Sequence, residues 1–377
     1  MVTIPRPASG LGSTTAAVDN VIDVRNLHVE FHTSLGTVRA VNGVSLGVPR
    51  GKTLGVVGES GCGKSVTAFA IMQLVATPGV IAQGEIVLRA RGKDPVNLLT
   101  YGKASDDMRA VRGRHIGMIF QEPMTALNPC YTIGNQIAEA ILLHRTSDPA
   151  QADAMALDIL SRVGLPSPSR LMTTFPHQLS GGMRQRAMIA LALSCEPDLL
   201  LADEPTTALD VTTQAQILDV MRELQQHIGM SIMFVTHNLG VVAQMCDEVA
   251  VMYLGRIVEQ ASVDELFDSP KHPYTRALMR SIPQLGSGRK GRLEVIQGSI
   301  PGQFSKLAGC QFHPRCPDAI AGVCDVKSPS LLPIGDGAHV SCFLHHDPSG
   351  SPRSPEAVVA HAQSMTGAGG ATVSSPN

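Results

Sequence analysis

Aromatic residues are scarce in this chain of 377 residues, with Phe 9, Tyr 4 and Trp 0. A sequence so poor in rings offers no stacking platform for single-stranded nucleic acid. An excess of either charge is also missing, since Lys+Arg 30 against Asp+Glu 32 leaves −2. That balance excludes a broad electrostatic hold on nucleic acid or acidic lipid. Met1 to Asn20 lacks an apolar core behind a basic start, so no secretory signal is expected. Ser65 to Gly84 carries no charged residue, but Pro78-Gly79 breaks it and Thr67, Gln73, Thr77 and Gln83 dilute it. It reads as a buried helix and a turn rather than a membrane span. No internal repeat is visible. What remains is an ordinary globular composition, hydrophobic 44% and charged 16%, which sets aside disorder, collagen and coiled coil. The length allows one large domain with an appendage, or two domains. The expected location is the cytoplasm, where reducing conditions make the eight cysteines thiols or metal ligands rather than disulfides.

The ends, residues 1–20 and 347–377, are rich in Ser, Pro, Gly, Ala and Thr without an apolar period, and read as disordered tails. Between them short, uniformly apolar runs alternate with helix-type runs: Thr53 to Val57, Ile116 to Phe120, Asp198 to Ala202 and Ser231 to Thr236. Such strands belong to a mainly parallel sheet covered on both faces, hence an α/β fold. The alternating stretches Val21 to Phe31 and Val38 to Val48 look antiparallel, which makes the sheet mixed. A helical region between about Thr132 and Leu165 interrupts the strands. Past about Ser269 the rhythm stops, and a Cys/Pro/His-rich segment is expected to form a separate small module over 269–346.

Three motifs carry chemistry. Gly58-Glu-Ser-Gly-Cys-Gly-Lys-Ser65 fits Gly-x4-Gly-Lys-Ser between a strand and a helix. Its glycines let backbone N–H groups face a polyphosphate, Lys64 reaches the β- and γ-phosphates, and the Ser65 hydroxyl ligates Mg²⁺. The expected nucleotide contacts are Gly58, Ser60, Gly61, Cys62, Gly63, Lys64, Ser65 and Val66. A chance glycine-rich turn is the bland alternative; the flanking strand and helix speak against it. Leu199 to Glu204 is an apolar strand ending in two carboxylates. Asp203 can hold the Mg²⁺ shell while Glu204, pointing the other way, polarises an attacking water. Between the two lies Leu179-Ser-Gly-Gly-Met-Arg-Gln-Arg186 before an apolar helix. Ser180, Gly181 and Gly182 there offer a second phosphate-binding helix start, useful if it serves a neighbouring subunit's nucleotide.

The series P-loop, Gln121, Leu-Ser-Gly-Gly-Met-Arg-Gln-Arg, Asp203-Glu204, Ala208-Leu-Asp210 and His237 resembles an ABC transporter nucleotide-binding subunit over about Val21 to Phe267, giving an ABC ATPase domain at 21–268. The resemblance implies that Gln121 senses Mg²⁺, water and the membrane partner, that Asp210 lies in a loop crossing to the other subunit, that His237 contacts the γ-phosphate, and that Phe31 stacks on adenine. Phe120-Gln-Glu-Pro-Met-Thr-Ala-Leu-Asn-Pro129 and His272-Pro-Tyr-Thr-Arg-Ala-Leu278 narrow it to the oligopeptide/dipeptide importer branch, which also includes nickel-chelate importers, and to its "D" subunit. Implied with it are ATP hydrolysis, a second ATPase subunit in a heterodimer, two transmembrane permease subunits docked through Gln121 to Thr132, an extracytoplasmic solute-binding protein, and a peripheral place on the inner face of the cell membrane. A DNA-repair ATPase would need long coiled coils, and a ribosomal one usually two cassettes; neither pattern is present.

The C-terminal segment holds Cys310-x5-Cys316-x7-Cys324-x17-Cys342. Four cysteines so close suggest a Cys₄ metal site, and without a Cys-x2-Cys pair the spacing leaves zinc and iron–sulfur both open. Resemblance to the branch's C-terminal domain implies a [4Fe–4S] cluster, with zinc as the alternative. Cys130, Cys195 and Cys246 read as small buried hydrophobes.

Overall fold

The computed structural model describes residues 19–122, 126–207, 209–281, 296, 298–302, 304–305, 307–335 and 337–353. Most of both expected tails, the middle of the Gln121–Thr132 segment (123–125) and Ala208 lie outside the described residues.

Two long strands open the chain, β1 (Asn20–Thr33) and β2 (Gly36–Pro49), paired antiparallel. There follow β3 (Thr53–Val57), α1 (Lys64–Ile71), β4 (Gly79–Leu88), β5 (Val96–Asn97), α2 (Asp106–Val111) and β6 (Ile116–Ile119). The uncharged Ser65–Gly84 stretch thus supplies a short helix, a turn and the first part of β4. The helical region is α3 (Ile133–His144), α4 (Pro149–Arg162) and α5 (Pro168–Leu171). Next come α6 (Gly181–Leu193), β7 (Leu199–Asp203), α7 (Val211–Ile228), β8 (Ser231–Thr236), α8 (Leu239–Met245), β9 (Glu248–Tyr253), β10 (Arg256–Ser262), α9 (Val263–Asp268) and α10 (Pro273–Arg280). Two short strands close the described chain, β11 (Leu332–Pro333) and β12 (His339–Val340). Among the described residues no helix is long and apolar enough to cross a membrane.

The strands make two sheets. One is four-stranded in the order β2-β1-β4-β5, all antiparallel; the other is eight-stranded, β11-β12-β10-β9-β3-β8-β7-β6. In the larger sheet β9, β3, β8, β7 and β6 run parallel and β10, β12 and β11 antiparallel, so it is mixed through β10 to β12. The antiparallel stretches expected near Val21 and Val38 form the separate sheet. Every residue of β3, β7 and β8 is buried, which is why these strands read as unbroken apolar runs. Their period-2 geometry still sorts side chains between two cores. Leu199, Leu201, Met233 and Val235 join the core under the β1–β2–β4 sheet and α1. Leu200, Ala202, Ile232 and Phe234 join the core under α3, α4, α6 and α7.

Side-chain caps set the helix starts. Thr132 accepts the Asn135 N–H at the head of α3, and Asp210 accepts the Thr213 N–H at the head of α7. Gly229, at φ 68, ends α7 in the left-handed region where a side chain is strained.

The Cys-rich segment does not stand apart. β12 pairs with β10 (Glu259↔Val340, Gln260↔His339), extending the main sheet, and Phe312 and Ala338 are buried in the helix-side core. Val340, Cys342 and Leu344 add a small apolar cluster of their own. Among the described residues, packing therefore runs across position 268, since the segment is poor in apolar residues of its own.

Candidate active site

The loop from β3 to α1 curls tightly. Gly63 sits at φ 105, and a Cβ there would run into the Ala40 carbonyl; at Gly58 it would meet the Met252 carbonyl. Only glycine fits either position. Inside the curl Lys64 Nζ, nearly fully buried, donates to Gly58 O (2.9 Å) and Glu59 O (3.0 Å). The lysine is thus held at the mouth of the loop by the loop's own carbonyls. Ser65, at the start of α1, donates through Oγ to Asp203 Oδ1 at 2.9 Å and joins the loop to the end of β7. Burial raises the Asp203 carboxyl above its usual range, the Glu204 charge adds to this, and Ser65 and Lys64 oppose it.

β6, β7 and β8 are neighbours in the sheet, and just past their C-terminal ends come Gln121, Glu204 and His237. The structure brings all three together. Gln121 Nε2 donates to Glu204 Oε2 (3.2 Å), Thr207 Oγ1 donates to the same oxygen (2.9 Å), and His237 Nδ1 lies 3.1 Å from Glu204 Oε1. Glu204 itself is in the left-handed region at φ 46, with its N–H on Val235 O. A non-glycine residue held there marks a site where the surroundings override backbone preference. Burial alone would raise its pKa, but hydrogen bonds from His237 and Thr207 and the charge of Lys64 outweigh it, so the carboxyl lies below the usual range. Thr207 has no place in the expected set; a hydroxyl three residues past the second carboxylate is the signal that would have found it.

Ser180, Gly181 and Gly182 open α6, with Ser180 Oγ accepting the Met183 N–H at 3.4 Å. A Cβ on Gly181 would face open space, and one on Gly182 would touch Thr213 at the head of α7. Among the described residues no hydrogen bond links this turn to the P-loop. Asp210 is exposed, and the Thr213 N–H and hydroxyl it accepts hold its carboxyl below the usual range. Phe31, near the end of β1, faces a cavity of about 1010 Å³ lined also by Ala40, Gly61, Val66 and, from the C-terminal segment, Phe304.

Among the described residues no group of three or more His, Cys, Asp or Glu side chains is gathered tightly enough to hold a metal ion. Among the described residues the expected Cys₄ site is not assembled. Cys310 and Cys316 pack against the helix-side core, while Cys342 belongs to the cluster with Val340 and Leu344. Cys324 Sγ accepts the Ile320 N–H at 3.3 Å, and the Cys310 N–H is tied to Cys324 O at 2.8 Å. Burial pushes the Cys316 thiol up to about 12. Cys195 and Cys246 are buried as expected, but Cys130 is exposed, in an Asx turn where its N–H bonds Asn128 Oδ1 ahead of α3.

Comparison with known proteins adds independent findings. A family model described as ABC transporter matches residues 41–207, and one described as oligopeptide/dipeptide transporter, C-terminal region, matches residues 258–324. The chain is 50% identical over 332 residues (87% of this chain, 96% of the relative) to a probable peptide ABC transporter ATP-binding protein of Sinorhizobium fredii. It is 46% identical over 328 residues (87% and 95%) to a dipeptide transport ATP-binding protein of Bacillus subtilis. Among solved structures, the dimeric ATP-binding cassette MJ0796 in a post-hydrolysis state with ADP and Pi is 25% identical, with TM-score 0.56, covering 64% of this chain and 98% of that one.

Proposed function

The chain belongs to the ATP-binding subunits of ABC transporters, in the oligopeptide/dipeptide branch, and on that premise we propose that it hydrolyses ATP to drive import of di- or oligopeptides through membrane partners. The observation that carries the hydrolytic role is the convergence of Gln121, Thr207 and His237 on Glu204, beside the Ser65–Asp203 bond. Lys64 and the loop N–H groups bind the phosphates, and Gly61, Val66 and Phe31 border the cavity open to the base. Ser65 and Asp203 would hold Mg²⁺, which when bound neutralises charge between β- and γ-phosphates. Glu204 takes the proton of the attacking water, His237 orients that carboxylate, and Gln121 ties it to the segment leading to the membrane partners.

Ser180, Gly181 and Gly182 serve the nucleotide of a second ATPase subunit, with Asp210 at the crossing. The partners are a related ATPase subunit, two permease subunits and an extracytoplasmic binding protein, and the place is the cytoplasmic face of the cell membrane. In vesicles carrying the assembled transporter, labelled dipeptide uptake should require ATP and vanish with Lys64→Ala. Uptake of a nickel chelate but no peptide would move the cargo to the other solutes of the branch.

The four tail cysteines Cys310, Cys316, Cys324 and Cys342 would hold a [4Fe–4S] cluster or zinc, and two observations support this. The donor set is four cysteines in one short segment, and each of Cys310, Cys316 and Cys324 lies close enough to act electrostatically on Cys342. Anaerobically purified protein should then hold about four iron and four sulfide per chain. About one zinc instead would identify zinc, and four freely alkylated thiols with neither metal would reject the site.

A further inference from the structure

Glu59 is the first variable residue of the P-loop, and every polar part of it is engaged. Its N–H donates to the Tyr274 hydroxyl at 2.9 Å, and its carbonyl accepts Lys64 Nζ at 3.0 Å. Its carboxylate takes two donors of one guanidinium, Arg315 Nη1 to Oε2 at 2.9 Å and Nη2 to Oε1 at 3.1 Å. The Arg315 side chain is 4% exposed. It also donates to the Tyr253 hydroxyl at 3.3 Å, with the guanidinium over that ring. Tyr253, Tyr274 and Phe312 pack edge-on and tilted against one another, with centroids 4.7 to 5.5 Å apart.

Both gripping residues come from beyond the ATPase motifs. Tyr274 is the tyrosine of His272-Pro-Tyr-Thr-Arg-Ala-Leu278, a motif the hydrolytic site leaves unused. That turn is itself pinned: buried Glu259 accepts the Lys271 and His272 N–H groups, and His272 Nδ1 caps the Tyr274 N–H. Arg315 sits between Phe312, anchored in the core, and Cys316.

We propose that Arg315 and Tyr274 are positioning residues for Lys64, through which the C-terminal segment sets the affinity of the P-loop for nucleotide. A bidentate carboxylate–guanidinium pair fixes orientation as well as distance. The peptide it fixes is the one whose carbonyl holds Lys64 Nζ. Release of that peptide lets the loop relax and costs phosphate binding, without touching Glu204, Gln121 or His237. The inference rests on ATP binding at this P-loop.

The test measures binding of a fluorescent ATP analogue with Mg²⁺ to the full chain, and KM and kcat in the assembled transporter. Arg315→Glu and Glu59→Arg should each weaken binding about tenfold or more, with KM moving more than kcat. The double exchange should recover most of the loss. Tyr274→Phe, which removes one hydroxyl from a buried ring, should weaken binding severalfold in a protein that melts near the wild-type temperature. It decides the matter if the charge variants do not fold. Wild-type affinity in Tyr274→Phe, or a double exchange no better than the singles, overturns the proposal. Lys64→Ala is the control: if it too keeps full affinity, the ATP-site reading fails rather than the clamp.

Discussion

Glu204→Gln should keep ATP bound while turnover falls about a hundredfold or more. The amide keeps the shape of the carboxylate and an oxygen for the Thr207 hydroxyl and Gln121, which now reach Glu204 Oε2 at 2.9 and 3.2 Å. What it loses is the charge and the ability to take a proton from water. Asp203 gains from the change, since the neighbouring carboxylate helps to raise its pKa. With that charge gone Asp203 is more readily ionised, so the Mg²⁺ and phosphate ligands stay intact. Single-turnover hydrolysis beside nucleotide binding checks both halves, and near-normal hydrolysis would remove Glu204 from the role of base. The wild-type acid limb carries the same signature. Burial opposes it, but His237 and Thr207 hold Glu204 below the ordinary carboxylate range, so protonation of the base itself should come at pH values below those of free glutamates.

The second large effect is expected across a subunit boundary. Ser180 to Gly182 form no hydrogen bond to this chain's own P-loop among the described residues, and Gly181 faces open space. The chain alone should hydrolyse ATP poorly, and addition of its ATPase partner and membrane subunits should restore the rate. Ser180→Arg should then fill the second phosphate cradle and silence the site whose P-loop lies on the partner. The loss at that site should be on the order of a hundredfold, the scale of removing a preorganised donor in other active sites. Mixed complexes, with one subunit mutated at a time, separate the two sites. Full activity in a strictly monomeric preparation would sink the idea of a shared site.

The parts of this site that sequence made legible are those whose chemistry is local. The P-loop is a contiguous run between β3 and α1, and Asp203-Glu204 follows an apolar strand directly. Gln121 and His237 are readable as strand ends, because parallel neighbours bring their C-terminal ends to one edge. The contacts that escaped are long-range. β11 and β12 are two residues each, too short for a period of two to show. Arg315 looks like one basic residue in a loop, and only folding places it on Glu59. The four tail cysteines are a different case: their closeness in sequence suggests a metal site, whereas among the described residues Cys310 and Cys316 pack against one apolar cluster and Cys342 packs in another. Cys130 failed for a related reason, since its neighbours build a polar turn that lifts the thiol to the surface.

Glu59 and Arg315 stand 256 residues apart, and that separation has a meaning in time. A ribosome adding roughly 5–20 residues per second needs on the order of ten to fifty seconds to pass from one to the other. Throughout that interval the emerging polypeptide displays its P-loop with Glu59 unclamped, and it acquires the Ser180 turn, both strand-end carboxylates and His237 before the guanidinium arrives. On the proposed clamp, the nascent subunit should bind nucleotide weakly until Arg315 is in place. The guanidinium that completes the grip on ATP is made only after everything from the P-loop to His237.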